Sequence, residues 1–214
     1  MLCAQEIVRL HDRRVREWHE SEADPREFAF DAETCPAADE EAWLTMVARQ
    51  HRANFELWHI EDEARTPGSP DAEIAQVKRR IDRMNQRRND LAEELDRLLL
   101  NWLGERGLPR LAAELNSESP GLMIDRLSIL SLKIFHTREE AARQDGPQSH
   151  AERNRERLAI LEEQRADLAG CLDDLWRETL AGTRRFKLYR QLKMYNDPLL
   201  NPAIYRKRKG DPGA

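Results

Sequence analysis

Three cysteines in 214 residues, at Cys3, Cys35 and Cys171, are an odd number with no two close together. This argues against a disulfide framework and a zinc knuckle and suits a reducing cytoplasm. Glycine (9) and proline (10) are both below average usage, so the chain is neither linker-rich nor collagen-like. Aromatics are only 6%, and no apolar run approaches the roughly 18 residues of a spanning helix. Met1-Leu2-Cys3-Ala4-Gln5-Glu6 lacks the basic-then-apolar pattern of a signal peptide. There is no Gly-x-Ser-x-Gly elbow and no glycine-rich phosphate loop, so nucleophilic catalysis has little support. Nothing matches a recognised nucleic-acid module, so no specific nucleic acid is expected.

What is present is charge (35%) and aliphatic residue, with few β-branched side chains among them. That is the composition of long amphipathic helices, and 25.0 kDa suits one domain. The net charge of −5 hides an asymmetry. Residues 183–209 hold nine Lys or Arg and one Asp, a net +8; with Asp211 beyond them, residues 1–182 carry −12. The basic end either serves an anionic partner or folds back onto the acidic body.

Apolar spacing of three and four predicts helices over Ala4–Glu20, Asp39–Arg65, Pro70–Leu103, Pro120–Arg143 and Ser149–Ala181, and a shorter basic helix over Thr183–Tyr195. Ser69-Pro70 and Ser119-Pro120 read as cap-plus-proline starts, and Gly104 and Gly182 as stops. The first half of the fourth helix is apolar nearly all round, which marks the buried centre. No strand is predicted. The expected fold class is all-α, an antiparallel bundle of four to five long helices with a short N-terminal helix and a basic C-terminal one. Residues 1–38 would pack on the core as helix and loop, with Phe28 and Phe30 as anchors, residues 39–205 would form the bundle, and residues 206–214 would be a disordered basic tail. The same 3,4 pattern leaves a partner helix, and hence a homo-oligomer, open.

The informative feature is polar chemistry in apolar slots. Asn54, Trp58, Glu61 and Arg65 share one helical face, with Asp62 beside it. Asp82, Asn85 and Asn89 share another beside Arg88, which occupies a slot the register reserves for an apolar residue. Arg165 does the same on the fifth helix, and Asp125, Ser128 and His136 interrupt the apolar fourth, where Arg126 also lies. Burying an unpaired charge costs several kcal/mol. Three arrangements answer that cost. One is an internal network: Glu61 or Asp62 with Arg88, and Asp125 with Arg65 or Arg126. A second is a cleft for a small anionic or sugar-containing ligand. There Arg65, Arg88 and Arg126 would hold the anion, Asn85 and Asn89 bond hydroxyls, and Trp58 form a wall. A third is a Mg²⁺ or Mn²⁺ site from Glu61, Asp62, Asp82 and Asp125, as in helical nucleotide pyrophosphatases. Glu56-Leu57-Trp58-His59 is formally the Glu-x-x-His of di-iron bundles, but no second copy exists. Cys171 sits among leucines and reads as a buried, inert thiol.

Four segments in order carry a resemblance: Asn54-Phe55-Glu56-Leu57-Trp58-His59-Ile60-Glu61-Asp62-Glu63-Ala64-Arg65, Ile81-Asp82-Arg83-Met84-Asn85-Gln86-Arg87-Arg88-Asn89-Asp90, Ser119-Pro120-Gly121-Leu122-Met123-Ile124-Asp125-Arg126-Leu127-Ser128-Ile129-Leu130, and Lys193-Met194-Tyr195-Asn196-Asp197-Pro198. Together they resemble a bacterial family, the domain of unknown function 4254, over about residues 40–205. The resemblance implies an all-helical soluble protein with no established reaction. It also implies a setting near the glycosyltransferases of surface polysaccharide assembly, as an accessory protein.

Overall fold

The computed structural model describes residues 3–20, 40–145, 147–190 and 199. Five helices carry it: α1 (Ala4–Glu20), α2 (Glu40–Glu63), α3 (Asp71–Gly104), α4 (Pro120–Ala142) and α5 (Gln148–Ala181). The expected all-α bundle is the observed one, with helix ends within two residues of those read from the pattern. The expectations for Phe28, Phe30, Gln191–Tyr195 and the 206–214 tail lie outside the described residues.

The largely apolar α4 packs against all four other helices. Met123, Ile124, Leu127, Leu132 and Ile134 are buried on it, together with Asp125, Ser128 and Ser131. The main core joins Met123, Ile124 and Leu127 to Ile7 and Leu10 of α1, Trp43 and Met46 of α2, Leu95 and Leu99 of α3, and Leu172 and Trp176 of α5. The short connections 64–70 and 143–147 fold α2–α3 and α4–α5 into hairpins. Cross-pairs such as Arg80–Glu63 and Arg138–Glu162 join the two arms of each. The first turn of α1 is satisfied from outside: the Ala4 N–H donates to Asp173 Oδ1 at 2.8 Å, a carboxylate at a helix N-terminus.

The start of α4 explains the Ser-Pro-Gly signal. Ser119 is the cap residue, but its hydroxyl does not bond its own helix. It donates to Asp96 Oδ2 of α3, and the Gly121 N–H donates to Asp96 Oδ1 at 2.7 Å. A side chain of the neighbouring helix therefore caps α4. This demands close approach: a methyl at residue 121 would collide with the Ala92 carbonyl oxygen and lie 2.9 Å from Asp96 Cγ. Burial pushes the Asp96 carboxyl up to about 6, against the two hydrogen bonds that favour its charged form.

The basic helix expected from Thr183 does not form over the described residues. Gly182 closes α5 in the left-handed conformation (φ 73°), its N–H returning toward Glu178 and Thr179. The chain then pairs sideways: β2 (Arg184–Arg185) lies parallel to β1 (Glu114–Leu115). The Asn116 N–H donates to the Arg185 carbonyl at 2.8 Å, and Arg185 Nε donates to Ala113 O at 2.9 Å. Phe186, 2% exposed, pins the strand into the core. Backbone groups already paired with residues 114–116 cannot also close helical turns. Of the basic side chains in residues 183–190, Arg184 and Arg185 fold back on the body, Arg184 pairing with Glu178 and Glu114, while Lys187 and Arg190 are exposed.

Candidate functional site

Polar residues in apolar slots do meet inside the bundle. Asp125 of α4 is 5% exposed and is held from two helices. Gln50 Nε2 and Asn54 Nδ2 of α2 donate to its Oδ1 at 2.6 and 2.9 Å, and Arg88 Nε of α3 pairs with it at 3.1 Å. Burial raises the Asp125 carboxyl above its ordinary value; Arg88, Asn54 and Gln50 oppose that shift and hold a charge there. Asn54 also donates to Ser128 Oγ at 2.9 Å, and Ser128 Oγ lies 2.7 Å from His51 Nδ1. His51 Nε2 lies 3.1 Å from the His11 carbonyl oxygen. A carbonyl only accepts, so Nε2 carries the proton, Nδ1 accepts, and the Ser128 hydroxyl donates to it. One directed chain thus runs from Asn54 through Ser128 and His51 to the backbone of α1. Burial lowers the His51 ring to about 3, which keeps it neutral. The second misplaced arginine is answered likewise: Arg165 Nη1 donates to Asp12 Oδ1 at 2.6 Å and to Ser131 Oγ at 3.2 Å.

Beside this network a cavity of about 370 Å³ opens between α2, α3 and α4. Asn54, Trp58, Glu61, Asp62, Arg65 and Arg88 line it, with Leu57, Ile129 and Leu132 as its apolar part. Six of the expected ligand residues are therefore brought together, and a seventh, Asp125, is bonded to two of them. The Trp58 ring is held by a parallel stack on His136, centroids 4.7 Å apart and planes 11° apart. Arg65 sits at the mouth, 66% exposed, bonding Glu61 and Asp62 of its own helix end.

The remaining expected residues lie elsewhere. Asp82 pairs with Lys78 at 2.6 Å, and neither Asp82, Asn85 nor Asn89 lines the cavity. Arg126 is exposed and bonds Glu118; it lines a separate groove of about 690 Å³ between α4 and α5. The internal network uses the expected participants with exchanged partners: Arg88 takes Asp125, and Arg65 takes Glu61 and Asp62. The expected metal set does not assemble. Asp125 is committed to Gln50, Asn54 and Arg88, Asp82 to Lys78, and Glu61 and Asp62 to Arg65. Among the described residues no group of three or more His, Cys, Asp or Glu could hold a metal ion. Glu56 of the formal Glu-x-x-His bonds Arg52 at 2.9 Å. Cys171 is exposed rather than buried, because it lies one position off the Leu168–Leu172–Leu175 line that meets the core.

Sequence reasoning passed over Gln50, His51, His11 and Asp96, all 2% exposed or less. The signal that exposed Arg88 was there for each. Gln50 falls between Met46 and Ala53, His11 between Ile7 and Val15, and Asp96 between Ala92 and Leu99, at core spacing in every case.

A bundle in which one carboxylate ties three helices, beside a cavity with two arginines, matches a family model described as "Protein of unknown function (DUF4254)" over residues 44–188. The chain belongs to that family. The match takes in three of the four segments noted in the sequence and stops before Lys193-Met194-Tyr195-Asn196-Asp197-Pro198. No curated protein and no solved structure matches the chain.

Proposed function

We propose that the cavity between α2, α3 and α4 binds a small anionic or sugar-containing ligand, and that the protein acts as an accessory in the assembly of bacterial envelope glycans. The observation that carries the binding reading is the composition of one wall set: two guanidinium groups, an amide and an indole around about 370 Å³, with the Glu61 and Asp62 carboxylates there paired to Arg65. That combination suits an anion attached to an apolar-faced ring. Arg88 supplies a fixed charge, anchored through Nε on Asp125. Arg65 supplies a movable one. Its bonds to Glu61 and Asp62 are exposed i,i+4 and i,i+3 pairs, each worth no more than about 1 kcal/mol, so turning it onto a ligand costs little. Trp58, already oriented by His136, presents a flat apolar surface. The glycan role rests on the family resemblance, and a cytoplasmic setting on the free thiols Cys3 and Cys171. No helix among the described residues is long and apolar enough to cross a membrane.

The test is a thermal-shift and calorimetric panel of inorganic phosphate, nucleoside diphosphates, nucleotide sugars and neutral sugars, each with and without Mg²⁺. A ligand at one hundred times its Kd stabilises the native state by about 2.7 kcal/mol. For at least one anionic member a rise in Tm is expected that Arg65→Ala and Trp58→Ala both abolish. A flat Tm across the panel refutes the binding reading and leaves a bundle locked by its own ion pairs. A response that appears only with Mg²⁺ favours an enzyme acting on a phosphorylated substrate.

A further inference from the structure

Five of the six histidines in the chain lie in one column where α1 meets α2 and α4. His11 and His51 have ring centroids 4.3 Å apart. Next along α1, His19 lies 5.3 Å from His59 and 5.1 Å from His136, which are 6.2 Å from each other. His19 Nδ1 is 2.7 Å from the Val15 carbonyl, and His136 Nδ1 is 3.1 Å from Glu139 Oε2. Both oxygens accept, so each Nδ1 carries the proton and each Nε2 is bare. The Nε2 atoms of His19, His59 and His136 are buried without a hydrogen-bond partner, as are both ring nitrogens of His11. Since no metal-holding group exists among the described residues, the chemistry open to these nitrogens is protonation.

The surroundings oppose charge. Phe55, Phe135 and Trp58 pack against the rings. The charged groups facing the column are Arg52 and Asp62 of α2, Glu139 of α4, Asp12 of α1 and Arg165 of α5. Asp62 and Glu139 favour imidazolium; Arg52, Arg165 and the other rings disfavour it. Burial, then the neighbouring imidazoles, place His59 and His136 below the ordinary histidine value, and burial lowers His11 and His51 as well. His11, His51, His59 and His136 are therefore seated neutral. Two of the column's members, His11 and His19, belong to α1. The amino-terminal half of α1 lies in the main core through Ala4, Ile7, Val8 and Leu10. Its other half rests on a smaller cluster of Val15, Phe55 and Leu132 with Trp18, Trp58 and Phe135.

We propose that His11–Glu20 is an acid-released latch: proton uptake by the imidazole column lifts this half of α1 from α2 and α4 and bares the Val15–Phe55–Leu132 cluster, while Ala4–Leu10 stays in the core. The released state binds more protons, because freed imidazoles recover a value near 6.5. Seating is thus fully favourable above that pH, weakens as pH falls from about 6.5 toward the lower seated values, and levels off below them.

Native-state amide exchange on the full chain at pH 7.5, 6.0 and 5.0, corrected for intrinsic exchange, tests this. Protection of residues 12–20 is expected to fall by about tenfold per pH unit below 6.5 for each proton taken up, with residues 165–180 unchanged. The double variant His19→Asn/His136→Gln is expected to have a shallower fall. Equal protection of residues 12–20 at pH 7.5 and 5.0 overturns the proposal. So does a double variant that opens as steeply as wild type, because His19 and His136 would then contribute nothing to the opening. If the double variant does not fold, the wild-type histidine resonances decide. Titration in step with the loss of protection supports the latch, and loss of protection while the rings remain neutral refutes it.

Discussion

Replacing Asp125 with alanine measures whether the polar centre is one coupled unit. The carboxylate is almost fully buried, with two amide donors, Gln50 and Asn54, and the Arg88 guanidinium paired against it. Breaking a buried ion pair by removing one partner costs about 3–5 kcal/mol. Arg88 is a quarter exposed, so water relieves part of that and about 3 kcal/mol is the better figure for the pair. Gln50 is worse placed. Its Oε1 already lacks a partner, so losing the bond through Nε2 strands the whole amide, for about 1 kcal/mol more. Asn54 keeps its bond to Ser128 and adds little. Asp125→Ala should therefore destabilise by about 4 kcal/mol, a fall in Tm of roughly 8–16 °C for a chain of this size. Asp125→Asn keeps an acceptor and should lose about half as much. In a double-mutant cycle with Arg88→Met, most of the loss should be shared, because the second substitution removes the charge that the first left unpaired. Urea denaturation at pH 7.5 gives these numbers. A midpoint for Asp125→Ala equal to wild type, or strict additivity with Arg88→Met, would refute the argument that this carboxylate neutralises Arg88 in the interior.

Two further substitutions test the seat of α4. The Asp96 carboxyl is raised from 3.8 to about 6. Between those values the native chain keeps a proton that the unfolded chain has lost, so this group's contribution to stability falls as pH rises through that window, by about 3 kcal/mol in all. Asp96→Asn should therefore gain on wild type by about 2 kcal/mol between pH 4 and pH 6.5, and a constant difference in urea midpoints would count against it. Gly121→Ala forces a methyl into the Ala92 carbonyl and Asp96, and should cost about 3 kcal/mol or more with a shift of α4; a thermal midpoint within 2 °C of wild type would show that the helices part freely.

Much of this protein was legible before any coordinates. Long 3,4 runs, proline after serine and glycine at the stops set five helices to within two residues. The reason is that helix formation is a local matter of spacing and caps. The same arithmetic marked Arg88, Arg165 and Asp125 as residues needing partners. It could equally have marked Gln50, His51 and Asp96. Which partner each takes was not legible. Arg88 could have met Glu61, Asp62 or Asp125, and helical periodicity is silent on the axial offset between neighbouring helices. The Arg126 side chain, one residue from Asp125, points to a different groove because adjacent helical positions diverge by 100°. The segment after Gly182 shows the same division most plainly. Its spacing is helical, yet its backbone is claimed by residues 114–116, some seventy positions earlier. Sequence alone determined the helices and the identity of the polar groups that must be buried. Tertiary structure decided how those groups pair, that a cavity lies beside them, and that five of the six histidines cluster where α1 meets α2 and α4. Those outcomes depend on distances between helices, which no local pattern encodes.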